Sequence, residues 1–130
     1  MKGLGNDGPY WRALWDGGLA LPICPACQTW RWPAPFRCSD CGGWQFEWRP
    51  VEKTGIIYSW TRTWHPFGGA EAFDRPYVTL SVALPQAGGV RLFGLLEPGD
   101  GAEIGAEIVG DVRKTRAFGR ELLVLTWRRA

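Results

Sequence analysis

This chain is poor in the side chains that do proton chemistry. Its 130 residues include a single histidine, His65, and only three lysines, Lys2, Lys53 and Lys114. Ser59, Ser81 and the threonines have no histidine beside them, and no GxxxxGK[ST] phosphate loop is present. The inventory for independent catalysis is thin. Charge of one sign is also lacking. A net charge of +2 falls short of the basic excess of a dedicated nucleic-acid binder. No apolar run is long enough to span a bilayer, and the opening "MKGLGNDGPYW" has no signal-peptide hydrophobic core. A cytoplasmic location is expected, where cysteines serve metals more often than disulfides. No internal repeat or low-complexity segment is visible.

Other residues are abundant. Glycine (18) and proline (10) imply many turns and short elements, which favours β structure. There are 9 tryptophans, and all but Trp127 fall between Trp11 and Trp64. Hydrophobic residues at 45% and charged residues at 22% suit one ordinary globular core.

The pattern predicts a mainly β protein in three segments. Residues 1–18 form an N-terminal helical segment, in which Asp7 can cap, Pro9 fits the first turn and Gly17-Gly18 ends the helix. Trp11, Leu14 and Trp15 share one face of it. So short a helix must dock on something. Residues 19–46 hold all four cysteines. Residues 47–130 read as strands at Ile56–Trp64, Tyr77–Leu84, Val90–Glu97, Ala106–Lys114 and Glu121–Trp127, with a long loop at His65–Pro76. Five strands in roughly 80 residues suit a small closed barrel of the OB type, with a small sandwich as the alternative.

The cysteines fall as Cys24-x-x-Cys27 and Cys38-x-x-Cys41, with ten residues between the pairs. Two such knuckles can face each other and place four thiolates at the corners of a tetrahedron, the geometry of a structural zinc ribbon. The gap is shorter than the ~15–20 residues of many such sites but accommodates a rubredoxin-like hairpin. Gly42 eases the second knuckle, whereas Gln28 makes the first less ideal. Zinc is the expected metal, with iron the chemical competitor at a four-thiolate site. Four cysteines fill the coordination sphere, so the site is expected to be structural. Its metal would contribute on the order of 10 kcal/mol to folding, as in isolated zinc-finger peptides.

His65, Glu71 and Asp74 share one loop, the one place where acid–base residues converge. A solvated polar loop is the plainer reading, and a stand-alone acyl-CoA binder or thioesterase the sharper one. Arg113, Lys114, Arg116, Arg120, Arg128 and Arg129 lend the C-terminal part a basic bias, but Glu97, Asp100, Glu103, Glu107, Asp111 and Glu121 are interleaved with them. A mixed face is usually a solvated one. A single-stranded nucleic-acid-binding module is the alternative it leaves open.

The order of parts carries a resemblance. "YWRALWDGGLALPIC", the knuckles "CPAC" and "CSDC", "GIIYSWT" at Gly55–Thr61 and "RPY" at Arg75–Tyr77 resemble the acyl-CoA-associated family that joins a rubredoxin-like zinc ribbon to a C-terminal OB-fold, a domain of unknown function. The likeness runs from about Tyr10 to Trp127. It implies a non-catalytic accessory subunit of a thiolase-fold enzyme: a thiolase, a hydroxymethylglutaryl-CoA synthase or a thiolase-like aldolase shortening steroid or fatty acyl side chains. The four cysteines match the family's ligand positions. No catalytic residue carries over. A permanent interface would account for part of the aromatic surplus, with Trp11, Trp15, Trp30, Trp32 and Phe36 as candidates. Trp64, His65 and Arg75 are candidate acyl-CoA contacts.

Overall fold

The computed structural model describes residues 5–130. Residues 1–4, the beginning of the predicted 1–18 segment, lie outside the described residues. Helix α1 spans Gly8–Trp15, with Pro9 in its first turn. Asp7 stands at its N-cap, yet its carboxylate accepts a hydrogen bond from the Trp11 indole N–H at 3.0 Å instead of capping the backbone. The face that docks is Tyr10 and Leu14, an i, i+4 pair, and Trp15 points outward at 58% exposure. The Lys53 ammonium donates to the carbonyl of Gly17 just beyond the helix C-terminus, where the helix dipole favours a cation.

Strands β1 (Ala20–Cys24), β2 (Thr29–Trp30) and β3 (Glu47–Pro50) form an antiparallel sheet in the order β2-β1-β3. β1 is buried along Leu21–Cys24. It carries Cys24 at its end, and β3 pairs with it from Ala20↔Pro50 to Ile23↔Glu47. The cysteine hairpin is thereby tied to the chain that enters the barrel.

The remaining strands are β4 (Thr54–Thr63), β5 (Tyr77–Leu84), β6 (Val90–Leu96), β7 (Glu107–Ala117) and β8 (Arg120–Arg129), and they close in the order β4-β5-β6-β8-β7. This is an OB-type barrel, and closure rules out a sandwich. β5 shows the governing pattern: Val78, Leu80, Val82 and Leu84 point inward and alternate with half-buried residues, as a strand with one face on the core must. Closure is completed by two short seams. β6 and β8 pair in parallel at Leu95↔Thr126 and Leu96↔Trp127, and β4 meets β7 at Thr54–Ile56. A bulge between Ile57 and Ser59 turns Tyr58 outward.

Trp127 is the largest fully buried side chain. Its indole lies between two mid-strand glycines. A Cβ on Gly94 would stand 2.5 Å from its Nε1, and one on Gly110 2.9 Å from its Cζ3. Both strands therefore need glycine there. Gly55 is bound in the same way, because a Cβ would meet Val82 Cγ1 at 2.4 Å. Helix α1 packs on β1 and β8, so Tyr10, Leu14, Leu19 and Leu21 join the barrel residues in one core.

Candidate metal centre and surrounding surfaces

The two Cys-x-x-Cys turns bring their four sulfurs within 4.8 Å of one another. Cys24 and Cys38 are buried, Cys27 is half-buried and Cys41 is exposed. Across the knuckles, Cys24 Sγ lies 3.5 Å from Cys41 Sγ, and Cys27 Sγ lies 3.7 Å from Cys38 Sγ. A tetrahedron with metal–sulfur bonds of ~2.3 Å has edges of about 3.8 Å, so these spacings suit a small tetrahedral ion.

Local backbone geometry makes the knuckles. Gln28 N–H bonds to the carbonyl of Cys24 at 2.7 Å, and Gly42 N–H bonds to that of Cys38 at 2.9 Å. Each turn ends in the left-handed region, with φ +57° at Gln28 and +77° at Gly42. Glycine adopts this freely, whereas glutamine does so at a cost. The Gln28 side chain donates to the carbonyl of Pro25 at 2.8 Å. Gly43 lies beside the sulfurs, where a Cβ would make ordinary contacts of 3.4 Å with Cys41 Sγ and 3.7 Å with Cys24 Sγ.

The electrostatics call for a cation. The backbone N–H of Cys41 pulls the Cys38 thiol down to about 6, helped by Asp40 N–H and the Arg31 guanidinium against the opposing effect of burial. Cys24 is likewise lowered, chiefly by the N–H of Cys27. At Cys41, the Gly43 N–H pulls downward, but the neighbouring sulfur of Cys24, burial and the other two cysteines outweigh it and push the thiol up to about 11. The turns thus favour thiolates that bare sulfurs so close together cannot all become. A divalent soft-accepting ion resolves the conflict, and these four residues could hold one.

The aromatic candidates distribute unevenly. Trp11, Trp30 and Trp32 are partly buried against the core. The Tyr10 ring packs at a tilt of 39° against Trp32 with centroids 4.6 Å apart, and Trp30 lies against Gly88. These contacts join helix, ribbon and barrel. Trp15 and Phe36 are exposed, as are Trp44 and Trp64. Trp64, His65 and Arg75 all belong to the exposed β4–β5 connection. His65 packs on Phe67 at 4.5 Å. Glu71 turns its carboxylate to its own N–H and to that of Gly69, which lowers its pKa. Among the described residues, no hydrogen bond joins His65 to Glu71 or Asp74, so the loop does not assemble an acid–base pair.

Half of the interleaved charges pair off. Arg113 bridges to Glu97, Lys114 to Glu121 at 3.7 Å and Arg129 to Glu103 at 3.6 Å. Sequence reasoning missed two features. One is a groove of about 570 Å³ between ribbon and barrel, lined by Trp30, Arg31, Tyr58, Arg91 and Phe93 among others, where Arg91 lies 4.4 Å over the Tyr58 ring. The other is the contact of the β7–β8 turn with the long loop, where Phe118 meets Gly69. The positions of Phe118-Gly119 between two strong strands were the available signal for the turn.

A four-cysteine ribbon stitched to a five-stranded OB barrel defines the class of this protein. A chain of the solved Ltp2-ChsH2(DUF35) aldolase matches it with a TM-score of 0.79 and 27% identity, covering 99% of this chain and 98% of that one. A probable enoyl-CoA hydratase alpha subunit of Thermomonospora curvata is 35% identical over 113 residues, or 83% of this chain. The chain spans about a third (34%) of the length of that relative. No family model matches it. The chain thus resembles the DUF35 subunit of that aldolase from end to end, and it carries a four-cysteine cluster beside a closed five-stranded barrel. No helix among the described residues is long and apolar enough to cross a membrane.

Proposed function

We propose that this chain is a non-catalytic subunit that binds and supports a thiolase-fold enzyme acting on acyl-CoA, with an aldolase or thiolase as partner. The observation that carries this reading is the end-to-end match to a chain of an aldolase assembly. The hydratase name of the Thermomonospora curvata relative supports acyl-CoA chemistry nearby. The His65 loop, which leaves its acid and base groups apart, favours an accessory role over turnover by this chain alone. Exposed aromatics such as Trp15 and Phe36 are the side chains of the proposed interface set still available to a partner. Trp64, His65 and Arg75 are the proposed acyl-CoA contacts.

In this reading Cys24, Cys27, Cys38 and Cys41 hold one structural zinc, which supplies folding free energy and no chemistry. Elemental analysis of the purified chain should find about one zinc per molecule, and Cys38→Ser should lose it and unfold the ribbon. A well-folded metal-free protein overturns that part.

Co-expression with candidate thiolase-like and hydratase-like enzymes tests the subunit reading. Co-purification, together with partner activity that depends on this chain, is the expected result. Failure to associate, with partner activity indifferent to the chain, overturns it. So does thioester turnover by the chain alone that is lost in His65→Ala, and so does salt-sensitive, tight binding to single-stranded oligonucleotides.

A further inference from the structure

Arg31 follows β2 directly, and its backbone N–H bonds to the carbonyl of Pro22 on β1 at 2.9 Å. Its side chain is mostly covered, with 22% exposed. The guanidinium reaches across the hairpin to the second knuckle. One terminal nitrogen lies 2.6 Å from the Asp40 carboxylate and 3.8 Å from Cys38 Sγ. The Nε is buried with no partner of its own. A long cation has thus been drawn out of water and aimed at a sulfur.

The charge of the site explains why. A divalent ion held by four thiolates leaves a surplus of negative charge on the sulfurs, in a setting where two of the cysteines are buried. Groups that hydrogen-bond to the ligands tune both metal affinity and ligand donor strength. Asp40, at 59% exposure, is the water-facing end of the arrangement and orients the guanidinium by a charge-assisted bond. Arg37, the other arginine of the hairpin, donates to the carbonyl of Gly42 at 3.0 Å and touches no sulfur.

We infer that Arg31 is the positioning residue of the metal centre, offsetting thiolate charge at Cys38 and latching the second knuckle to the first through Asp40. The inference rests on the metal-site reading. It adds a specific consequence: retention of the metal depends on a side chain that does not bind it. Arg31 also lines the ribbon–barrel groove, so the same latch fixes one wall of that groove.

The test uses the full zinc-loaded chain and its cobalt(II)-substituted form. Zinc transfer to a chromophoric chelator should be about 10-fold faster in Arg31→Gln, the lower end of what loss of such a partner does to metal affinity. Arg31→Lys, which keeps the charge, should recover part of the difference. In the cobalt form, loss of the hydrogen bond should move the thiolate-to-cobalt charge-transfer band to lower energy, a signature that mere loosening of the fold does not give. Parental release rates and an unmoved band in Arg31→Gln overturn the inference while leaving the metal site intact. If Arg31→Gln fails to fold, Arg31→Lys carries the test, and release indistinguishable from parent together with an unmoved band overturns the role of the guanidinium. Absence of zinc from the parental chain is the separate failure, that of the metal-site reading itself.

Discussion

Gly94→Ala puts one of the closest approaches in the barrel under test. The added methyl would stand 2.5 Å from Trp127 Nε1 and 2.7 Å from the carbonyl oxygen of Leu125. The second neighbour is backbone in the adjacent strand, so rotating a side chain cannot relieve it. Overpacking of a well-filled core costs about 1–3 kcal/mol, and the doubly blocked geometry argues for the upper part of that range. Replacing glycine also stiffens the unfolded chain, which returns about 0.4–1 kcal/mol. The net expectation is roughly 2 kcal/mol of destabilisation, a fall in Tm of about 5–12 °C for a chain of this size. Urea unfolding followed by far-UV circular dichroism measures it. Gly99→Ala is the control, since its methyl would meet nothing nearer than Val78 Cγ2 at 3.6 Å. If steric pressure on the indole is the cause, adding Trp127→Phe should be less than additive. A Gly94→Ala protein as stable as parent, or strict additivity in the double variant, would refute the reasoning.

Three further expectations concern the turns and the cysteines. In the metal-stripped chain the Cys38 thiol sits at about 6, below its ordinary value of 9.0. Its stabilising contribution is therefore complete above pH 9 and is lost as pH falls through about 6. Thiolate absorbance near 240 nm should show this early step, and a first step only above pH 8 would contradict it. Gln28→Val should destabilise the ribbon by more than ~1 kcal/mol, because a β-branched residue tolerates positive φ poorly. Gln28→Gly should be neutral or better, and calorimetry of the zinc-loaded chains ranks them. Phe118 sits at φ +52° before Gly119 at +71°, the backbone of a tight hairpin turn that prefers Asn-Gly. Phe118→Asn should hold or raise Tm while making the 65–76 loop easier to cleave by limited proteolysis. An unchanged cleavage rate would show that the Phe118–Gly69 contact does not restrain the loop.

The barrel strands were legible because each is rich in β-branched or apolar residues and bounded by turn residues. The alternation of "YVTLSVAL" survives intact as β5. The cysteine spacing was equally plain. What escaped was pairing without local periodicity. β3 is the short polar stretch Glu47–Pro50, and only its partner β1, across the whole cysteine hairpin, makes it a strand. The outward turn of Trp15 was hidden as well, because amphipathic spacing allows either Trp15 or Tyr10 to join Leu14, and tertiary packing chose the phenol. Trp127 could have been found from its companions. Gly94 in "LFGLL" and Gly110 in "IVGDV" interrupt good strands, and a mid-strand glycine signals a close approach. Arg31 gave no such sign, since twelve arginines look alike until one is covered.

The two seams that close the barrel set the order in which it can assemble. Pairings along β4-β5-β6 and β7-β8 join chain neighbours, through tight turns except for the 65–76 loop between β4 and β5. The meeting of Thr54–Ile56 with Glu107–Val109 must wait until everything between has been wound into place. Closure is thus the last and most entropically demanding event, and the seam is the natural first point of opening in the native state. Gln86, in the turn after β5, pins the start of β4, the strand whose other edge forms that seam. Its amide donates to the carbonyls of both Glu52 and Thr54 at 2.9 Å, so the first residues of β4 are held from the β5 side when the β7 side opens.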